Sequence, residues 1–335
     1  MKKILIATPL YPPDIGGPAE YAYNLECELN NLGHEVKVEK FSSIKHWPSG
    51  LRHFIYFFKI LPAMFRADWC LALDTFSVAL PAVLAARLFG NKIIIRTGGD
   101  FLWEQYVERT GKLVLLRNFY QTELVFFSKK EKFIFKLTKW ILNHTTTIVF
   151  STEWQKQIWL APYELNLAKT SIIENYYGIK DLALLPSTKN FLWAGRYLKL
   201  KNLEKLKLAF AVVKESHPNL SLDIGQWSPE KLITKIKTSY AVIVPSLSEI
   251  SPNLILLALQ YRKPFILTME TGLHDQLQEV AVFVDPINIG DMASKIIWLA
   301  DEQNYLIQQK KMDDFSFTHS WSEIASEFLE IFSEL

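Results

Sequence analysis

The sequence predicts an α/β protein built from two doubly wound halves in series. Three observations predict it. Short β-branched runs alternate, along the whole chain, with segments carrying apolar residues every third or fourth position. Runs such as Ile93-Ile94-Ile95 show no period-two alternation, so both faces of those strands are buried, as in a parallel sheet between helix layers. The pattern then restarts after Asn175-Tyr176-Tyr177-Gly178 and the loop Leu184-Leu185-Pro186-Ser187, which puts a boundary near residue 180. A chain of 335 residues is long enough for two such domains.

In the first half the predicted strands are Lys3–Pro9, Glu35–Phe41, Trp69–Asp74, Lys92–Thr97 and Thr146–Ser151, with helices over Glu20–Leu32 and Phe76–Leu88. In the second half they are Phe191–Gly195, Leu220–Ile224, Ala241–Pro245, Pro264–Thr268 and Ala281–Asp285. The helices there are Leu203–Glu215, Glu230–Thr238, Asn253–Tyr261 and Ile289–Asp301, with a last one over Trp321–Ile331. Two such halves are expected to leave a cleft at the carboxyl ends of their strands, where this architecture binds ligands.

Composition narrows the function. Hydrophobic residues make up 49% and charged ones 21%, which argues for packed cores and against disorder. A formal net charge of +2 lacks the strongly basic face that nucleic acid demands. Cys27 and Cys70 build no disulfide framework or zinc site, so a reducing compartment is expected. The apolar run Ile4 to Ala7 is too short for a signal peptide. Thr75 to Ala86, holding Pro81, reads as a buried helix rather than a bilayer span.

Glycine is scarce, so two adjacent pairs stand out, Gly16-Gly17 and Gly98-Gly99, each after a predicted strand. Gly16-Gly17 precedes a helix near Ala19. It either lets a ligand approach backbone amides or supplies the positive φ of a tight turn. GxGxxG and GxxxxGK[ST] are both absent. In the second half, Arg196 and Lys201 lie on the strand-to-helix loop Gly195 to Asn202. There they are either solvated cations or a clamp for a diphosphate. A second loop, Val244 to Asn253, offers Ser251 as N-cap and Pro252 as first helical residue, so that amides from Asn253 and Leu254 onward form an anion site. Glu249 beside it is either a dipole-stabilised acid or an acceptor for sugar hydroxyls.

These residues carry a resemblance. The chain looks like a family-four glycosyltransferase of the GT-B type, two Rossmann-like doubly wound domains facing across a cleft, over nearly its whole length. Ile4 to Gly17, then Leu32-Gly33-His34-Glu35-Val36, resemble the family's opening strand, double-glycine loop and second strand. Ser151-Thr152-Glu153-Trp154 and Ile172-Ile173-Glu174-Asn175 sit where it has its "S-E" and "I-P-N-G" signatures. Gly195-Arg196 with Lys201 is similar to "G-R-x-x-x-x-K", and Glu249 with Pro264 keeps the spacing of "E-x-x-x-x-x-x-x-E … G-K-P". Ser320-Trp321 resembles the start of a closing helix that packs back on the first domain.

The resemblance implies an N-terminal acceptor-side domain over 1–178, a nucleotide-sugar-binding domain over 179–318 and a returning helix over 319–335. Arg196 and Lys201 would neutralise the donor diphosphate and Glu249 would contact the donor sugar. Backbone at Ser251, Pro252, Asn253 and Leu254 would hold phosphate, and Gly16 and Gly17 would close the site. It implies retention, no cofactor and no metal, and no aspartate pair spaced as DxD is present to hold one.

Three departures accompany it. The motif's second glutamate falls on Leu257, removing an expected ribose anchor worth on the order of 1–3 kcal/mol. The second domain is about one β-α unit short, with only Leu222-Asp223-Ile224-Gly225-Gln226-Trp227 where two strand–glycine loops are expected. The first domain's histidine is replaced by Gly98-Gly99-Asp100-Phe101-Leu102-Trp103-Glu104. That makes Asp100 a candidate catalytic acid and Trp103 and Glu104 acceptor-side candidates, unless the two acids merely open a helix.

Basic and aromatic residues interleave from Arg109 to Lys139 and again from Arg52 to Lys59. Either these are solvated helices with an aromatic core stripe, or they suit anionic lipid headgroups and a lipid-linked acceptor. The expected activity is sugar transfer from a nucleotide-sugar to a glycan or lipid-linked hydroxyl, in the cytoplasm, with peripheral membrane contact. A non-catalytic binding member of the fold would bind no donor, and a nucleotide-sugar epimerase would form product from donor alone.

Overall fold

A computed structural model describes residues 1–14, 16–182 and 186–334. Ile15 of the first loop, Leu184 and Leu185 of the linker, and Leu335 lie outside the described residues. The chain divides into two compact units. One comprises Met1–Asp100, Leu124–Asn175 and His319–Leu335, the other Phe101–Glu123 and Tyr176–Thr318.

The first unit holds β1 (Lys3–Thr8), β2 (Glu35–Lys40), β3 (Trp69–Ala72), β4 (Lys92–Arg96), β5 (Thr147–Phe150) and β6 (Thr170–Ile172). They form one sheet in the order β2-β1-β3-β4-β5-β6, every neighbouring pair parallel. The continuous apolar runs fill the middle: Cys70, Leu71, Ile94, Ile95, Val149 and Phe150 are fully buried. β2 is an edge strand, and its Glu-Val-Lys-Val-Glu-Lys alternation keeps one face wet and the edge charged.

The first helix, Gly17–Asn31, starts at Gly16, whose φ of 146° only glycine takes without strain. Pro18 follows in the first turn. The last helix, Trp321–Glu334, packs against this helix as expected. Tyr21 meets Trp321 edge-on at 5.1 Å, and Phe332 stacks on Trp69 at 4.6 Å.

The second unit holds β7 (Asn190–Ala194), β8 (Ser221–Gly225), β9 (Ala241–Val244), β10 (Phe265–Thr268) and β11 (Val282–Val284). Their order is β11-β10-β9-β7-β8, again all parallel. One face is covered by helices Leu203–Ser216 and Ile289–Ala300 through Leu206, Phe210, Val213, Ile296 and Leu299. The other is covered by helix Asn253–Gln260 through Ile255, Leu256 and Leu259. Each such side chain stabilises the layer by about 1.5–3 kcal/mol. The chain starts at β7 and places β8 on one side and β9 on the other. The strand order therefore reverses between β7 and β9, the point beyond whose carboxyl ends open α/β sheets bind their ligands.

Candidate functional site

The loops after β7 and β9 meet at that reversal. The β7 loop ends in Asn202, held in the left-handed region at φ 58°. Its buried amide donates to the Pro245 carbonyl at 2.9 Å and the Pro286 carbonyl at 2.6 Å. The Leu247 amide also donates to the Leu200 carbonyl at 2.8 Å, so Lys201 stands on a stitched loop.

The Lys201 ammonium lies 2.5 Å from Glu249 Oε1, and the Ser246 hydroxyl donates to the same oxygen at 2.6 Å. The lysine side chain keeps 25% of its exposure and the glutamate 11%, so the pair is sheltered but open on one side. Glu249 is fixed through its backbone as well. Its amide donates to the Glu270 carbonyl at 2.8 Å, and Gly272 donates to the Glu249 carbonyl at 2.9 Å.

Helix Asn253–Gln260 begins at the predicted residue, but its cap lies one position later than the sequence suggests. Pro252, not Ser251, is the N-cap, and no side chain accepts a hydrogen bond there. A proline at this position has no side-chain oxygen to offer, so the positive end of the helix is not satisfied by its own cap. Leu257 is half-buried and packs on the apolar layer beneath this helix, consistent with a packing side chain in place of the expected ribose-binding carboxylate.

Residues Phe101–Glu123, which the sequence places in the first domain, belong to the second unit because they bond to these same loops. Lys199 Nζ donates to the Glu108 carbonyl at 2.9 Å, and the Leu116 amide donates to Ser248 Oγ at 3.0 Å. Arg117 pairs with Glu270 at 2.6 Å, and Arg196 with Glu104 at 3.6 Å. Burial pushes the Glu270 carboxyl above the usual carboxylate range, and the Arg117 cation opposes that rise. Arg196 is the more open of the two predicted cations, with 65% of its side chain exposed.

Other predicted site residues are placed differently. Asp100 is 2% exposed and its Oδ2 accepts from the Trp159 indole at 2.9 Å, so this carboxylate serves the interior of the first unit. Trp103 is likewise buried, 4% exposed, and donates to the Val114 carbonyl at 2.9 Å. Gly16 caps the first helix and Gly17 is its first residue, and a Cβ on Gly16 would meet Leu10 at 3.4 Å. Among the described residues no group of three or more His, Cys, Asp or Glu is suited to a metal ion. Sequence reasoning passed over Ser246 and Glu270, and took Arg117 only as one of the basic residues between Arg109 and Lys139. Ser246 stands three residues before Glu249, a spacing that a turn could have suggested, whereas nothing local links Arg117 to Glu270.

No family model matches the chain, and no curated protein matches it. Solved structures do. A sucrose-phosphate synthase from Thermosynechococcus elongatus is similar over 100% of this chain and 99% of that one, at TM-score 0.74 and 13% identity. Anabaena HepE in complex with UDP-glucose is similar over 100% of both chains, at TM-score 0.71 and 12% identity. A glycosyltransferase from Rickettsia africae is similar over 99% of this chain and 98% of that one, at TM-score 0.65 and 14% identity. This chain has the GT-B fold. Its two parallel sheets and its returning last helix are the GT-B features that the motif order led us to expect. Within this GT-B chain, the sequence-predicted residues that come together are Lys201 with Glu249 and Arg196 with Glu104, all in the second unit.

Proposed function

We propose that the protein is a glycosyltransferase. It moves a sugar from a nucleotide-sugar donor to a hydroxyl of a glycan or lipid-linked acceptor, with retention of configuration and without a metal. The observation that carries this reading is the Lys201–Glu249 pair, fixed at the sheet's reversal point beside a helix whose N-cap offers no side-chain acceptor. The UDP-glucose complex of a protein with the same fold supports the donor class.

In this reading the donor diphosphate takes the place of carboxylates that now balance the cations. Lys201 turns from Glu249 to the phosphate, and Arg196 turns from Glu104. The amides near Asn253 and Leu254 bind the same group through the helix's positive end. Glu249, released from Lys201, accepts hydrogen bonds from the donor sugar's hydroxyls. As the anomeric C–O bond to phosphate breaks, negative charge grows on the leaving oxygen, and these donors stabilise it where it forms. The acceptor oxygen bonds to the anomeric carbon on the same face of the sugar, and its proton passes to the leaving phosphate. We place the reaction in the cytoplasm.

Calorimetry with UDP-, GDP- and ADP-sugars, followed by mass spectrometry of donor plus acceptor mixtures, tests the reading. Donor binding and acceptor-dependent release of nucleoside diphosphate are expected. Product from donor alone would instead indicate an epimerase. The packing role of Leu257 favours one rival, a binding member without turnover, and donor binding with no release would establish it.

A further inference from the structure

Helix Ser49–Arg66 of the first unit is apolar on both sides. Tyr56, Ile60 and Met64, four residues apart, point inward and are fully buried. Leu51, Phe54, Phe58 and Phe65 recur at the same helical period on the outside, where Phe54, Phe58 and Phe65 keep 61%, 53% and 71% of their exposure. Arg52, Lys59 and Arg66 interleave with these outward rings, so the outer side of the helix is aromatic and basic together, an apolar stripe that no part of this chain covers.

Its neighbours extend the face. Helix Ala79–Phe89 packs beside it and exposes Leu84, Leu88 and Phe89, with the Phe89 ring 5.4 Å from Phe65. Helix Lys129–Asn143 packs on that second helix and exposes Phe133, and the turn leading into it exposes Val125 and Phe126.

The exposed charges carried by these three helices are basic, although Lys59 pairs with Glu39 at 2.9 Å and Lys139 with Glu164 at 2.7 Å from neighbouring elements. Arg66, Arg87, Lys129, Lys130, Lys132 and Lys136 are exposed. Helices Ser49–Arg66 and Ala79–Phe89 contain no acid at all. Glu131 is the single acid of the third helix, and it is buried in a capping box, bonded to the Ser128 amide at 2.8 Å. No helix among the described residues is long and apolar enough to cross a membrane.

We propose that this face docks on the surface of an anionic lipid bilayer, the phenylalanines entering the acyl boundary and the arginines and lysines meeting the headgroups. A soluble acidic partner would use the charges but leave the outer aromatic stripe unexplained, and a neutral surface would use only the stripe. The proposal deepens the functional reading by naming where a lipid-linked acceptor would be met, but its test needs no turnover.

The full chain is sedimented with vesicles of phosphatidylcholine alone and of phosphatidylcholine with phosphatidylglycerol. Binding only to the anionic vesicles is expected, weakened by salt. Replacing Phe54 and Phe58 together by Ser should lower partition at least about tenfold. Replacing Lys129 and Lys130 by Ala should lower it about fivefold per charge. Unchanged thermal unfolding of both variants separates these losses from misfolding. Equal binding to neutral vesicles, no binding to either, or a concentration-dependent dimer abolished by the Phe54/Phe58 change would each overturn the proposal. Vesicle binding without donor binding would retain this surface and remove the transferase reading.

Discussion

Lys201→Met is the sharpest perturbation of the proposed site. The change keeps most of the stem and removes the ammonium that sits 2.5 Å from Glu249 Oε1. Glu249 is then left with the Ser246 hydroxyl on that oxygen and with little water, being 11% exposed. A charge-assisted hydrogen bond of this kind contributes about 1.5–3 kcal/mol, and the lysine's partial exposure puts the stability loss near the lower end, about 2 kcal/mol. Loss of a donor aimed at developing charge costs roughly 2.7–4 kcal/mol of barrier, or about a hundredfold to a thousandfold in turnover.

The two effects separate in a double variant. Lys201→Met with Glu249→Gln removes the stranded charge, so it should recover about half the lost stability. Turnover stays low, because the cation is still missing and the carboxylate that meets the donor sugar is now an amide. Urea unfolding reads the first quantity, and nucleoside diphosphate release under saturating donor reads the second. Turnover of Lys201→Met within about threefold of the parent, at unchanged donor affinity, would refute the assigned role.

Three further outcomes follow from the same geometry. Leu257→Glu should tighten nucleoside diphosphate binding by roughly tenfold while lowering stability by about 1–3 kcal/mol, since the carboxylate enters an apolar layer; calorimetry and urea unfolding on the same sample check both signs. Asn202→Ala should cost about 2–3 kcal/mol, because alanine resists the left-handed backbone and abandons two carbonyls, whereas Asn202→Gly should restore part of that loss; equal cost in both variants would discount the backbone contribution. Buried Lys263, whose ammonium donates to the Ser239 carbonyl at 3.0 Å, is pushed down by burial to about 8. The folded state therefore sheds this proton first, and stability rises with pH between about 8 and the ordinary lysine value near 10.4. Below pH 8 the burial cost stays in full, so the parent should gain roughly 3 kcal/mol over Lys263→Met between pH 7 and 10.5, and parallel profiles would contradict this.

The strands were readable wherever burial on both faces leaves a continuous apolar run, as in Ile93 to Ile95 and Ala241 to Val244. Thr170–Ile172 escaped because three half-buried residues at an edge carry no period. Helix Ser49–Arg66 registered only as an aromatic–basic cluster, since its outward phenylalanines interleave with Arg52 and Lys59 and Pro62 lies inside it. In the site, Lys201 and Glu249 were legible because each follows a strand at the reversal point of the sheet. The surroundings of Asp100 and Trp103 were not legible, for the opposite reason. Both look polar or amphipathic at a helix start, and only three-dimensional packing decides that Trp159 and Val114 claim them. The contact of Arg117 with Glu270 joins residues too distant in sequence for any local pattern to pair.

Because residues 101–123 belong to the second unit while their flanking chain belongs to the first, neither half is a contiguous cassette. A chimera that grafts only residues 176–318 onto another scaffold would strip Glu270 of its arginine and Ser248 of its amide partner. Transplanting the second unit into a relative of this architecture therefore requires moving two separate pieces of chain together, and a single-crossover swap is expected to give a misfolded hybrid.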